Sequence, residues 1–450
     1  NIFFNLISNF FLYIKYIKTN MQSDDVKGND VLELLDVNDL SYLLNNKSNI
    51  VTERTLKRQF ADATNYSNTD NNLVVNWQTG QDFIDSRNST LRLRVRVNGG
   101  TTPNWGFGDV RNIIENVRIL SRGGIVLGRI ERFPLLSWNE TKWKRSPEWF
   151  GNQDHMGLGQ ASLMGYNPDP DVNLTAAGFV EYHIPLKLLH PFFDQNVLLP
   201  SQVCKGLRLE LTLATDLART FRADVAPTSY EVEGVYCVLD SYRLADAAMV
   251  KLNEMSASRD GLALQYKDWE SNNFPVGVNT TRVSLEVRKT VSMANSAFAV
   301  VRNKTSNAAA ETLVDSYASA FIDPADEYQF RIGSMYYPQT SIVGPKAFYS
   351  NAVYCCGNYS DDFQPSACYS IDGVEVAPSF AGADNLSNAR MCVDVNRYRS
   401  ILSGVQLNNS LTMSLNIQFQ ETKGNGREVD LYLCHTRRCI VYDENIVLLE

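Results

Sequence analysis

The chain has 450 residues, 44% hydrophobic and 20% charged, with 21 Tyr, 21 Phe and 6 Trp; this supplies large packed cores and excludes wholesale disorder. A net charge of −8, with a pI near 5.3, excludes a broad basic face for neutralising phosphates, so direct sequence-specific nucleic-acid binding is not expected. Eight cysteines without a CxxC pair exclude a disulfide scaffold and a paired zinc knuckle, so neither a metal nor another cofactor is expected.

Residues 1–20 are rich in Asn, Ile and Phe, lack a basic leader and a small-residue cleavage site, and give way to a different composition at Met21. Met21 is therefore expected as the start, with 1–20 read as translated upstream sequence. Val31, Leu34, Leu35, Leu40, Leu43 and Leu44 fall at helical spacing among acidic residues, which predicts an amphipathic N-terminal arm over 1–53.

Beyond the arm the dominant signal is period-two alternation, which sends one face of a strand to a core and the other to solvent. It is clearest at Leu91, Leu93, Val95 and Val97, which alternate with Arg92, Arg94 and Arg96, and it recurs at Leu207, Leu209, Leu211 and Leu213. Between Tyr230 and Leu239 the alternation slips by one position at Gly234, which predicts a bulge. Ala245, Ala248, Met249, Leu252 and Met255 share a helical face after Asp240-Ser241, a pair able to cap a helix start; this predicts a connecting helix between two halves. Alternation returns at Val283, Leu285 and Val287, then from Leu411 through Met413, Leu415 and Ile417 to Phe419, and at Val429, Leu431 and Leu433.

Many strands, few helices and Asn-Gly-Pro turns such as Asn98-Gly99-Gly100 and Asn167-Pro168-Asp169-Pro170 predict an all-β fold of sandwiches. The divisions are 54–255 and 256–450. No exact internal repeat is visible, so any duplication is structural only.

Motifs for chemistry are scarce. There is no GxSxG, HExxH, GxxxxGK[ST] or EF-hand loop. Of four histidines, His183 and His190 flank Pro185 in an apolar segment and read as packed or loop residues; His155 follows Asp154 but has no nucleophile tied to it, and His435 adjoins Cys434. Asp169 with Asp171, and Asp323 with Asp326 and Glu327, sit beside Pro and read as solvated turns rather than acid/base pairs. Gly106-Phe107-Gly108 and Arg122-Gly123-Gly124 lack a phosphate-binding context. Trp138, Trp143 and Trp149 read as core or interface packing ahead of a sugar-stacking stripe. Cys355-Cys356 and Cys434-His435 with Cys439 lack ligand spacing. No catalytic, cofactor-binding or metal residue is assigned, and the chain is not expected to be an enzyme.

Four segments, in order, resemble the double jelly-roll major capsid proteins of polinton-like viruses, virophages and adintoviruses. They are Asn112–Gly124 continuing to Glu131; His183-Ile184-Pro185-Leu186 with Pro191-Phe192-Phe193, Leu198-Leu199-Pro200-Ser201 and Gly206–Leu211; Leu239–Tyr242 with Asp260-Gly261-Leu262 and Tyr266-Lys267-Asp268-Trp269; and Arg331–Pro338, "RIGSMYYP". They lie within residues 90 to 435. The resemblance implies two consecutive eight-stranded jelly rolls with short helices in the connections. It implies a capsid building block that trimerises into pseudo-hexagonal capsomers of a small double-stranded DNA virus, with minor capsid and single jelly-roll penton proteins as partners and the virion as location. In such a shell the Asn-, Gly- and Pro-rich loop 151–175 is expected to face the exterior and arm 21–53, which no family segment matches, the interior. A non-catalytic carbohydrate-binding β-sandwich is the alternative. The vicinal Cys355-Cys356 and the stretch around Trp143 match no motif of that family.

Overall fold

Among the described residues, the strands form four antiparallel sheets. The computed structural model describes residues 50–100, 103, 105, 109–145, 149, 158, 178–221, 225, 227–258, 261–287, 289–303, 325–356, 390–396, 404–408, 411–419, 426–442 and 445–449. The expected arm helix and loop 151–175, apart from Leu158, lie outside the described residues, as do His155, Asp169, Asp171, Asp323, Cys368 and Gly106-Phe107-Gly108.

The first half contributes β1 (Val51–Phe60), β2 (Asn65–Ser67), β3 (Asn72–Asn76), β4 (Phe83–Asn98), β5 (Ile114–Leu120), β6 (Val126–Ile130), β7 (Val180–Pro185), β8 (Arg208–Leu213) and β9 (Ser229–Leu244). One sheet has the order β1-β9-β4-β7, with β2 attached to β9; the other has the order β3-β8-β5-β6. The second half contributes β10 (Leu262–Val276), β11 (Arg282–Val287), β12 (Val291–Asn303), β13 (Ala325–Ile332), β14 (Met335–Val343), β15 (Met391–Asp394), β16 (Val405–Leu407), β17 (Met413–Phe419), β18 (Arg427–Tyr442) and β19 (Asn445–Leu449). Its sheets run β10-β18-β12-β15 and β11-β17-β13-β14, with β16 on β12 and β19 on β18.

Leaving out the accessory strands β2, β16 and β19, each half has the same order: first, eighth, third and sixth strands in one sheet, second, seventh, fourth and fifth in the other. That is a jelly roll, made twice. The duplication extends to a helix after the fifth strand, α1 (Phe133–Lys144) in the first roll and α3 (Pro345–Cys355) in the second; α2 (Asp246–Ala257) joins the rolls. Each sandwich needs one apolar face per sheet, and the alternation supplies it. Leu91, Leu93, Val95 and Val97 are buried with Leu209, Leu211 and Leu213 in the first roll, as are Leu285, Leu415, Ile417, Leu431 and Leu433 in the second.

The Gly234 slip is a bulge: Arg92 pairs with Tyr236 and Arg94 with Glu233, and Gly234 takes φ +60. α2 buries Leu252 as its periodicity requires. Two local expectations are corrected. Asp240-Ser241 does not cap α2: both are buried inside β9, where Arg54 holds the Asp240 carboxylate in two hydrogen bonds of 2.9 and 2.7 Å, and Ala245 stands at the helix start without a side-chain cap. Asp326 and Glu327 are not a turn but belong to β13, because burial of Tyr328, Phe330 and Ile332 on one face commits that segment to the sheet.

Candidate functional site

The densest polar chemistry among the described residues lies between the two rolls, where β6, α1 and the helical turns Leu186–Leu189 and Pro191–Phe193 meet β10 and β18. Ile50–Gln195 and Leu199–Glu450 thereby share one compact unit.

Pro191 starts a tight helical turn whose first N–H groups have no partner within the turn, and His190 supplies one: Nδ1 accepts from the buried Phe192 N–H at 3.0 Å. With Nδ1 accepting, the ring proton sits on Nε2, which donates to Asp268 Oδ1 on β10 at 3.0 Å. Asp268 Oδ2 meets Arg437 Nη1 of β18 at 2.7 Å, and the same Nη1 donates to the Leu127 carbonyl of β6 at 3.1 Å. Tyr266 O–H donates to that carbonyl at 2.6 Å, and its ring meets Phe192 edge-on at 5.0 Å. His190 and Asp268 are both within 2% of complete burial. β6 can lie this close because residue 128 is glycine: a Cβ there would sit 2.4 Å from the His190 ring.

A second contact sits where β6 gives way to α1. Arg132, at φ +53 just before the helix, reaches Glu428 at 3.2 Å and Asp430 at 2.8 Å; Asn273 donates to the same Asp430 oxygen at 2.9 Å. Tyr432 O–H donates to the Arg132 carbonyl at 3.1 Å. Further along α1, Glu140 pairs with Lys144 and with Arg390 at 3.1 Å, and the Arg390 guanidinium lies over the Phe298 ring at 4.4 Å. A cleft of about 230 Å³ between the rolls is lined by Glu140, Lys144, His190, Lys267 and Trp269 among others.

Burial alone would raise the Asp268 carboxyl, but the His190 hydrogen bond and the Arg437 charge beside it outweigh burial and hold it below the usual carboxylate range. Burial pushes the His435 imidazole below its ordinary value, against the pull of Asp268. A buried pair of this kind adds little net stability over an apolar one, but breaking it is expensive; its effect is to permit one relative placement of the rolls and penalise others. Both His190 nitrogens are committed to fold contacts, so this histidine is placed to hold the seam rather than to accept a substrate proton.

The other residues singled out from sequence are scattered. His183 lies on the exposed face of β7, 2.9 Å from Glu181. His435 is buried on β18, opposite Asp268 in the ladder. Trp138 and Trp143 are buried on α1, so they form no open stacking face, and Trp149 lies beneath the Arg145 guanidinium at 5.6 Å. Arg122-Gly123-Gly124 is a turn closed by Gly124 N–H to the Ser121 carbonyl at 2.9 Å. Cys355-Cys356 ends α3, and burial pushes the Cys356 thiol up to about 11. Cys434 and Cys439 are buried free thiols on β18. Asp268 escaped sequence reasoning. The available signal was a carboxylate in register with Leu262, Leu264 and Tyr266 on the apolar face of β10.

No family model matches the chain, and no curated protein does. Solved structures do. The capsid of the virus PBCV-1 matches with TM-score 0.59 at 9% identity, covering 88% of this chain and 96% of that one. The Faustovirus major capsid protein matches with TM-score 0.58 at 8% identity, over 99% and 98%. A chain of the Sputnik virophage structure matches with TM-score 0.53 at 10% identity, over 89% of each. At such identities the likeness is one of fold, and it spans both rolls. The chain carries the double jelly-roll fold of viral major capsid proteins, virophage Sputnik's among them, the group its sequence segments resemble.

Proposed function

We propose that the chain is a major capsid protein that assembles into trimeric, pseudo-hexagonal capsomers tiling the icosahedral shell of a small double-stranded DNA virus. Residues 54–255 and 256–450 are its two domains, with Val51–Glu53 pairing into the first sheet. The observation that carries the reading is the seam: two rolls of identical topology are locked in one relative placement by buried, charge-assisted contacts, so each chain delivers a rigid pair of building blocks and three chains give six. Minor capsid and penton proteins would complete the shell, made and assembled in the host cell and residing in the virion. No catalytic step is part of the proposal.

Size-exclusion chromatography with light scattering tests it. The expected mass is three times the 50.7 kDa of the chain, followed by capsid-like particles on imaging. A monomer that persists at high concentration would overturn the reading, as would substrate turnover or glycan binding by isolated chains.

A further inference from the structure

The cleft at the seam carries more positive charge than its surroundings cancel. It opens between α1 and the turn at residues 186–194 of the first roll and β10 of the second, and its volume of about 230 Å³ is smaller than the ~300–1,000 Å³ of sites for drug-sized ligands. Three lysines reach it from three separate elements: Lys144 from the end of α1, Lys187 from the turn and Lys267 from β10.

Other charges on the cleft wall are matched, and those of the lysines are not. Arg111 is held by Asp109 in hydrogen bonds of 2.9 and 2.6 Å, and Asp194 is paired with Arg87 at 3.1 Å. Glu140 is shared: burial would raise its carboxyl, but Lys144 and the buried Arg390 together hold it below its ordinary range. One carboxylate cannot neutralise two cations, so this group keeps a positive charge. Among the described residues, Lys187 and Lys267 make no ion pair or hydrogen bond. The wall is therefore cationic in a chain whose net charge is −8. Like charges gathered in a narrow, part-buried cleft repel one another and concentrate the field there, and a bound anion relieves the repulsion.

We propose that this cleft binds a compact phosphate polyanion, a chain of two or three phosphates either free or as the tail of a nucleotide, held by Lys144, Lys187 and Lys267 so that one ligand bridges the two rolls. Lysine ammonium groups are compact point charges that meet phosphate oxygens from several directions, without the planar fork by which arginine pairs with a single carboxylate. The volume takes the phosphates and leaves an attached nucleoside at the mouth. A ligand that binds only the assembled seam stabilises the folded chain by mass action. The site lies within one chain, so it does not depend on the capsomer reading.

Isothermal titration of the full chain in low-salt buffer with pyrophosphate, tripolyphosphate and ATP tests it, beside NaCl at matched ionic strength. The expected result is one site per chain for pyrophosphate and tripolyphosphate, a rise in melting temperature on binding, and no saturable heat with NaCl. Lys187→Gln/Lys267→Gln should weaken binding by about tenfold or more, while Lys187→Arg/Lys267→Arg, which keeps both charges, should retain it. Lys251→Gln, at an exposed position of α2 outside the cleft, should bind as the wild type does. Lys267→Gln alone, also at an exposed position, gives the same reading should the double variant fail to fold. ATP that matches tripolyphosphate would identify a nucleotide tail as the ligand, and ATP that fails where tripolyphosphate binds would identify a free phosphate chain; either supports the site. Absence of saturable binding by all three phosphates, undiminished binding by the glutamine variants, or an equal loss in Lys251→Gln would overturn the proposal and leave the capsomer reading intact.

Discussion

Adding one methyl group at Gly128 should strain the seam more than its size suggests. The new Cβ would lie 2.4 Å from both Cε1 and Nε2 of His190, where carbon contacts settle near 3.5–4.0 Å, so about 1 Å of overlap must be relieved. The ring cannot turn away without losing Asp268 on one side and Phe192 N–H on the other, and β6 cannot retreat without releasing the Leu127 carbonyl from Tyr266 and Arg437. Gly128→Ala should therefore destabilise the protein by about 1–3 kcal/mol, the usual range for overpacking a close-packed interior. The clash belongs to the ring, so His190→Ala should make room for the methyl. In a double-mutant cycle the two penalties should fall short of additivity by about 1 kcal/mol or more. Thermal and urea unfolding at one fixed protein concentration would measure both, since the proposed assembly would make stability depend on concentration. Wild-type stability for Gly128→Ala, or strictly additive penalties, would refute the close-packed seam.

Asp268→Ala should cost about 3–5 kcal/mol by leaving Arg437 and His190 buried without their carboxylate, with Asp268→Asn milder; unfolding midpoints of the purified variants check this. Acid should loosen the seam in two stages. Because burial holds His435 below its ordinary value near 6.5, the folded state binds fewer protons than the unfolded one, and stability is lost as pH falls from about 6.5; Asp268, also held low, adds a further loss below about 3.8. The groups facing His435 are Asp268, Glu270, Arg437 and Lys289. Melting temperature against pH for the wild type and His435→Asn should differ in slope between pH 7 and 5, and identical slopes would remove His435 as the cause.

Much of the local structure was legible in the residues. Alternation located β4, β8, β11, β17 and β18, the slip at Gly234 marked a real bulge, and helical spacing found α2. These signals are short-ranged: a strand with one wet face needs every second residue apolar wherever it ends up. Capping was misread at Asp240-Ser241 because both lie buried in β9 and the Asp240 carboxylate is taken by Arg54, 186 residues away, which no local pattern reports.

Composition and periodicity set the all-β class, the two halves and the dry cores, since burying apolar faces is a demand each strand carries with it. Which strands became neighbours, and which faces of the finished rolls met, was decided only in three dimensions. His190 reaches Asp268 across 78 residues and Leu127 reaches Arg437 across 310, so their meaning comes from the assembled sheets. A histidine beside a proline and an aspartate in a strand are ordinary in sequence. Packed against each other away from water, they hold two jelly rolls at one angle, because a buried charge tolerates few placements of its partner.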